Sequence, residues 1–345
     1  MAKRKTVATQ RREALARKKT ESRNEKPHNN HFDIKKPGNF LEHKVFVGDQ
    51  LKTLGIAGGY YPLLSCDSTN NVMKKLAQRM LIRETLPGHT PSKRFSFDNT
   101  EEEWLDWMMP KELPYVITSE EQTAGRGRQS NTWWTGQGAL ALSMLLDAKQ
   151  HGLKLQHSAL LSLGMGYAVM QALRAISDVL FAEKNAETEN EADDLSVAKP
   201  NFEIRWPNDV YVNDRKISGI LIEAPNMRHI VTGIGVNSNI SATDAPEEIR
   251  DRIVTLSDLL GQIIKPPLLI YMICRSMMCV LSYFPSDLSE LLEMVEENLY
   301  QVGKMVNISC ENEQIIGKCL GLNPDGSLRV LTESGEKAVI SGVVI

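Results

Sequence analysis

Little in this sequence points across a membrane or out of the cell. No apolar run reaches bilayer-spanning length, and the stretch 267–284 is broken by Arg275. No secretory apolar segment follows Met1. Cysteine is scarce: the five residues Cys66, Cys274, Cys279, Cys310 and Cys319 are odd in number, scattered, and form no C-x-x-C pair. They read as reduced thiols in a cytoplasmic compartment. Histidines show no metal-ligand spacing apart from His28 and His31, which lie in a polar tail and read as solvated. A formal net charge of −3 excludes a surface that binds nucleic acid generically. What remains is a soluble globular chain of 345 residues, room for one main domain and a small one.

The first 44 residues are polar and basic, with Lys3-Arg4-Lys5, Arg11-Arg12 and Arg17-Lys18-Lys19 as clusters. Apolar residues are too sparse for a core-facing stripe, so the segment reads as disordered or loosely helical. A solvated tail, a nucleic-acid contact and an address signal all fit its charge. Glu13, Glu21 and Glu25 count against a mitochondrial presequence. A winged helix-turn-helix needs more apolar residues than this.

The stretch 118–146, TSEEQTAGRGRQSNTWWTGQGALALSMLL, organises the rest. Apolar runs at 115–118 and 139–146 predict strands on either side of a loop holding Gln122, Gly125, Arg126, Gly127 and Arg128, with Trp133 and Trp134 behind. Glycine lets backbone N–H groups face an anion, and arginine adds forked, permanent donors. An anion cradle and a basic surface loop both fit.

Upstream, residues 60–66 read as a strand. Asp67 or Ser68 then caps a helix carrying Val72, Leu76 and Met80. Its N-terminus also presents free N–H groups to carboxylates or phosphates. Residues 83–114 read as an inserted loop with one short helix, 155–180 as a core helix, and 181–200 as an acidic surface loop. In 202–223, FEIRWPNDVYVNDRKISGILIE, strands surround a hairpin turn at Asn213-Asp214. Lys216 follows that turn, either as an edge residue or as a point charge aimed into a pocket. Pro207, Asn208 and Asp209 interrupt the first strand, which is odd for a purely structural sheet. Residues 229–239 form a further strand in which Gly233 and Gly235 signal close approach of a ligand or of neighbouring backbone. Residues 253–300 read as mostly helical. From 302 to 345 short strands with turns at 323–326 and 334–335 predict a small all-β domain.

Taken together, Asp67-Ser68-Thr69-Asn70, Gln122 with Gly125-Arg126-Gly127-Arg128 and Trp133, Trp206-Pro207-Asn208-Asp209, Asp214-Arg215-Lys216 with Gly219 and Glu223, and Gly233-Ile234-Gly235-Val236-Asn237 resemble, in order, the biotin–protein ligase (biotin–acetyl-CoA-carboxylase ligase) family. The resemblance implies an α+β fold: a mixed β-sheet with packed helices, class II aminoacyl-tRNA-synthetase-like, over residues 51–300, then an SH3-like β-barrel over 301–345, behind a basic tail of residues 1–50. It implies that Ser68, Thr69, Asn70 and Gln122 meet the ring end of biotin, with Gly219 and Gly233–Gly235 leaving room for it. It places Gly125, Arg126, Gly127 and Arg128 on a loop closing over biotin and the adenylate phosphate, and Trp133 beside the adenylate. Lys216 would reach the biotin carboxylate and the α-phosphate, with Arg128 its catalytic companion. Asn208, Asp209 and Asn237 would serve the ATP side, Asp209 as the contact for nucleotide-borne Mg²⁺.

The implied substrates are biotin and ATP, with no tightly bound protein metal. The implied partner is a biotin carboxyl carrier protein or domain of a carboxylase. No membrane or nucleic-acid partner is expected, and the chain is expected to be a monomer or weak homodimer in the cytoplasm. Bacterial relatives often carry another glycine and an arginine where Ser130 and Asn131 stand here, which lowers local positive charge. The DNA-binding domain of repressor members is not apparent. Two other readings share these residues: a lipoate or octanoate ligase or transferase of the same fold, and a non-catalytic biotin-sensing regulator.

Overall fold

The computed structural model describes residues 37–85, 101–188, 199–311 and 313–345. Its frame is a sheet of seven strands: β1 (Gly59–Cys66), β2 (Tyr115–Gln122), β3 (Leu140–Asp147), β4 (Phe202–Arg205), β5 (Asp209–Val212), β6 (Arg215–Glu223) and β7 (His229–Val236). The spatial order is β1-β2-β3-β7-β6-β5-β4. β1 and β2 pair in parallel; all other neighbours are antiparallel. A parallel pair needs a long crossover, and helices α2 (Thr69–Thr85) and α3 (Glu101–Met108) lie in it.

Strand alternation divides the side chains between two faces. Ile217 and Ile220 of β6 and Ile230, Ile234 and Val236 of β7 join a large core with α1 (Pro37–Thr53), α4 (Ser158–Thr188), α7 (Pro266–Leu281) and α8 (Leu288–Glu297). On the other face Val72, Met73 and Leu76 of α2 and Leu105 and Met108 of α3 cover Ile117, Leu145 and Val231. Two short helices, α5 (Glu247–Arg250) and α6 (Leu256–Leu260), follow β7. The functional cavity occupies the remainder of the second face, over β5, β6 and β7.

The C-terminal strands β8 (Met305–Ser309), β9 (Gln314–Leu322), β10 (Leu328–Thr332), β11 (Gly335–Val339) and β12 (Val343–Val344) form an antiparallel sheet in the order β11-β10-β9-β8-β12. This is compatible with the small barrel expected, although no hydrogen-bonded β11–β12 ladder closes it among the described residues. It is not an independent core. Val306, Ile308, Cys319, Leu328 and Val330 join the same apolar cluster as α4 and α8. Glu296 of α8 accepts the Leu322 N–H at 3.0 Å, and Trp206 Nε1 donates to the Gly326 carbonyl at 3.3 Å.

Several expectations are corrected. The basic tail does not extend to residue 50: α1 begins at Pro37, and Val47 and Leu51 are fully buried. Two well-placed side chains suffice to dock the helix, although they make too thin a stripe to read from sequence. Residues 1–36 lie outside the described residues, as do 86–100 of the first insertion and 189–198 of the second. Helix α4 runs on to Thr188, past the point where a loop was expected at 181. An apolar run of membrane-spanning length does exist, at Leu155–Glu183 within this helix and the turn before it; 67% of its most apolar window is buried inside the protein, as in a core helix. Residues 202–212 are not one interrupted strand. Pro207 and Asn208 lie in the turn of a hairpin in which Phe202 pairs with Val212 and Arg205 with Asp209.

Leu51→Ala tests whether α1 belongs to the domain. Truncating a fully buried leucine is expected to cost about 2–5 kcal/mol, read as a lowered urea midpoint with an unchanged slope.

Candidate active site

The cavity follows one row of residues across the sheet. Ser119 (β2), Ala141 (β3), Gly235 (β7), Gly219 (β6), Asp209 (β5) and Arg205 (β4) are successive cross-strand partners. The first four are small, so the face is hollowed into a trough; the last two are charged. The trough and its surroundings enclose a cavity of about 510 Å³.

Neutral polar groups close one end. Gln122 Oε1 accepts from the Thr69 N–H at 2.9 Å and Oγ1 at 3.2 Å. Ser143, fully buried, lies 2.7 Å from both Thr69 Oγ1 and Asn70 Oδ1. Asn70 Nδ2 donates to Glu223 Oε2 at 2.9 Å. The buried Ser68 lies just before α2, its N–H bonded to Asp67 at 2.6 Å, and it lines this end of the cavity with Thr69 and Asn70. Ser143 carries no sequence signal of function, since it sits in an otherwise apolar strand.

The glycines make room for side chains. A Cβ at Gly233 would stand 2.2 Å from Asn70 Oδ1, and one at Gly235 2.3 Å from Trp133 Cε2. At Gly219 the nearest atoms would be Trp133 at 3.1 Å and Lys216 at 3.2 Å. Trp133 therefore lies on Gly219 and Gly235, where room for biotin was expected. Its Nε1 is buried with no hydrogen-bond partner.

The Gly–Arg loop is an ordered hairpin. Gly125 accepts from the Trp133 N–H at 2.9 Å, Arg126 bridges Thr132, and the Gly127 N–H donates to Asn131 O at 2.8 Å. The Gly127 N–H is thus spent inside the loop, which corrects the idea that it faces an anion. Gly125 serves the loop stem and does not line the cavity. Arg126 pairs with Glu223 at 3.0 Å, and Lys74 meets the same carboxylate at 2.8 Å. Burial raises the Glu223 pKa, but hydrogen bonds from Lys74 and Asn70 and the charges of Lys74 and Arg126 outweigh it and hold it below the usual value. Among the described residues Arg128 hydrogen-bonds neutral partners, Asn208 Oδ1 at 3.4 Å and Ser341 Oγ at 3.0 Å. Burial lowers its pKa, and the Asp209 charge opposes that.

Lys216 owes its direction to a bulge. Val210 pairs with Ser218 and Tyr211 with Lys216, so Ile217 is an extra residue on β6. Regular alternation would turn Lys216 away from Gly219; the bulge returns it to the cavity face and sends Ile217 into the core. Lys216 Nζ lies 2.7 Å from Asp209 Oδ1 and 5.5 Å from the Trp133 ring centroid. Asn237 was expected at adenine, but it is buried off the cavity. Its N–H donates to Ile217 O at 2.9 Å and its Nδ2 to Lys216 O at 3.1 Å, so it clamps the bulge. Asn208 Nδ2 donates to Ile220 O at 2.7 Å, which leaves its Oδ1 toward Arg128.

The sequence reading missed a second wall, formed by Arg205, Tyr211, Tyr300, Gln301, Lys304 and residues 342–345 of the C-terminal sheet. In sequence these lie far from the motifs, apart from Arg205, which adjoins Trp206, and Tyr211, which follows Asp209 by two residues. Five cationic side chains (Arg126, Arg128, Arg205, Lys216 and Lys304) face the cavity with one carboxylate, Asp209. That excess suits a polyanion.

Two substitutions test this geometry. Gly235→Ala is expected to displace Trp133, read as a shift in tryptophan emission. Glu223→Gln leaves Arg126 and Lys74 without their anion and is expected to cost about 1–3 kcal/mol near neutral pH. Because the folded Glu223 pKa is lowered, its stabilisation is present above the ordinary carboxylate range and lost as pH falls through the folded value. The Tm gap between the two proteins should therefore close on acidification.

Comparison with known proteins agrees with this geometry. The biotin/lipoate A/B protein ligase family profile matches residues 94–237. The bifunctional ligase/repressor BirA of Bacillus spizizenii is 25% identical over 317 residues, covering 89% of this chain and 79% of that protein. The biotin–[acetyl-CoA-carboxylase] ligase of Mycobacterium tuberculosis is 32% identical over 145 residues, covering 42% of this chain and 45% of that protein. Among solved structures, the Aquifex aeolicus biotin protein ligase in complex with biotin and ATP superposes with a TM-score of 0.59 at 25% identity, covering 83% of this chain and 97% of that one. Matched profile, collinear motifs and shared architecture converge on one likeness: the chain is similar to the biotin/lipoate A/B protein ligase family over residues 94–237 and to biotin protein ligases in fold.

Proposed function

We propose that the chain is an ATP-dependent biotin–protein ligase that makes biotinyl-5′-AMP and passes biotin to a lysine of a carboxyl carrier domain. The observation that carries this is the polarity of the cavity. Neutral amide and hydroxyl groups (Thr69, Asn70, Gln122), with Arg126 neutralised beside them by Glu223, line one part of the cavity, and Arg128, Arg205, Lys216 and Lys304 line the rest. A urea ring needs both donors and acceptors, which the first part supplies; a dithiolane or a plain acyl chain needs neither.

In the first step a carboxylate oxygen of biotin attacks the α-phosphorus of ATP. The bond from that phosphorus to the bridging oxygen breaks, and pyrophosphate leaves with the electron pair. Lys216 and Arg128 offset the repulsion between the two anions and the charge that develops. Asp209 fits as a single carboxylate contact for nucleotide-borne Mg²⁺: its Oδ1 is buried and, although close to Lys216, has no aligned hydrogen bond. Bound there, Mg²⁺ would neutralise phosphate charge. Among the described residues no cluster of three or more His, Cys, Asp or Glu offers a cage without the nucleotide.

The mixed anhydride is sensitive to water, and the loop carrying Arg126, Arg128 and Trp133 is placed to cover it. In the second step a neutral lysine amine of the carrier attacks the acyl carbon, AMP leaves, and the nitrogen loses its proton to solvent. Cys66, beside the site, need not act as a nucleophile, and burial pushes its thiol up to about 12. All five cysteines are free, which supports a cytoplasmic setting. A monomer or weak homodimer is part of the same proposal.

Biotin-dependent exchange of labelled pyrophosphate into ATP tests the reading, with lipoate and octanoate as controls. Lys216→Ala and Arg128→Ala are each expected to slow exchange by about 100-fold or more. Near-normal rates in both would refute the mechanism, exchange with lipoate or octanoate alone would reassign the substrate, and no exchange with any acid would leave a binding protein.

A further inference from the structure

We infer that Arg205, Tyr211, Tyr300 and Lys304 form the subsite for the departing pyrophosphate, the β- and γ-phosphoryl groups of ATP before cleavage. The inference rests on the ligase reading and assigns a part of the cavity that the motifs leave unassigned.

Direction comes from the sheet. Arg205 is the cross-strand partner of Asp209, which pairs with Lys216 at 2.7 Å and is itself the partner of Gly219. From the glycine trough through the Lys216–Asp209 contact, the next strand outward, about 4.8 Å further, carries Arg205. A nucleotide whose α-phosphate lies at Lys216 and whose acyl partner extends toward Thr69, Asn70 and Gln122 has its leaving group on the Arg205 side.

The local chemistry suits a phosphate chain. The Arg205 guanidinium lies between two rings, 4.2 Å from the Tyr211 centroid and 3.9 Å from that of Tyr300. Contact with both rings restrains the guanidinium while leaving its charge in place. One edge meets Asp214, a carboxylate whose side chain is 75% exposed and so a weak competitor. Nε is buried with no hydrogen-bond partner. On the other side of Tyr300, Lys304 Nζ lies 3.2 Å from the ring centroid, and no carboxylate of the described residues pairs with it. Its backbone is held by bonds with Gln301 and Cys319 at 3.0 and 2.9 Å. The subsite thus spans two elements, the β4–β5 hairpin and the junction with the C-terminal sheet.

Steady-state exchange kinetics on the full chain provide the test. Arg205→Gln and Lys304→Ala are each expected to raise KM for pyrophosphate about tenfold, the loss of one charge-assisted contact, while KM for biotin changes by less than about twofold. Lys304→Arg should restore most of the loss. Unaltered pyrophosphate KM in both variants, or a parallel rise in both constants, would overturn the subsite while leaving the ligase reading intact. Absence of exchange in the unsubstituted chain would overturn the ligase reading and the subsite together. Should Arg205→Gln fail to fold, the exposed Lys304 position carries the test.

Discussion

Lys216 can act on a ligand only because β6 holds one residue more than its partner strand. Without that residue the ammonium would turn toward the apolar core, where its desolvation would cost far more than any contact there returns. The bulge keeps Ile217 in the core and Lys216 in the cavity at once. It is held from three sides: by Asn237, by the return of chain at Arg252–Val254, and by the burial of Ile217. Asn237, which looks like a ligand residue, is better understood as the clasp on this irregularity.

Around that point the site is built by close approach. Gly233 and Gly235 on one strand admit Asn70 and Trp133 to distances that any Cβ would forbid, and Gly219 on the next leaves only a tight fit beside Trp133 and Lys216. Trp133 then bears on Lys216, while Glu223 gathers Asn70, Lys74 and Arg126 into one anchored group. The Gly–Arg loop is thereby tied to the sheet at its Arg126 end and to the C-terminal sheet through Arg128 and Ser341.

That second tie makes the C-terminal sheet part of the site. Its inner residues share the main apolar core, and its edge, with Tyr300 and Lys304, supplies cations and rings opposite the motif residues. A substrate carrying several phosphates therefore meets two elements whose spacing a common core fixes.

The motifs, their order and the element types were readable along the chain because they depend on local pattern: period-two strands, helical spacing in α2, a hairpin at Asn213-Asp214. The family resemblance and the residues Ser68, Thr69, Asn70, Gln122, Arg126, Arg128, Trp133, Asn208, Asp209 and Lys216, all of which line the cavity, came from the same local information. Three things did not. The facing of Lys216 depends on a strand pairing that a bulge alters. The tasks of Gly219, Gly233 and Gly235 depend on which side chains arrive from elsewhere. Arg205, Tyr300, Lys304 and Ser341 meet the motifs only across the core. The last two are contacts between segments distant in the chain, and the first is an irregularity of pairing within a hairpin; local pattern carries no record of either.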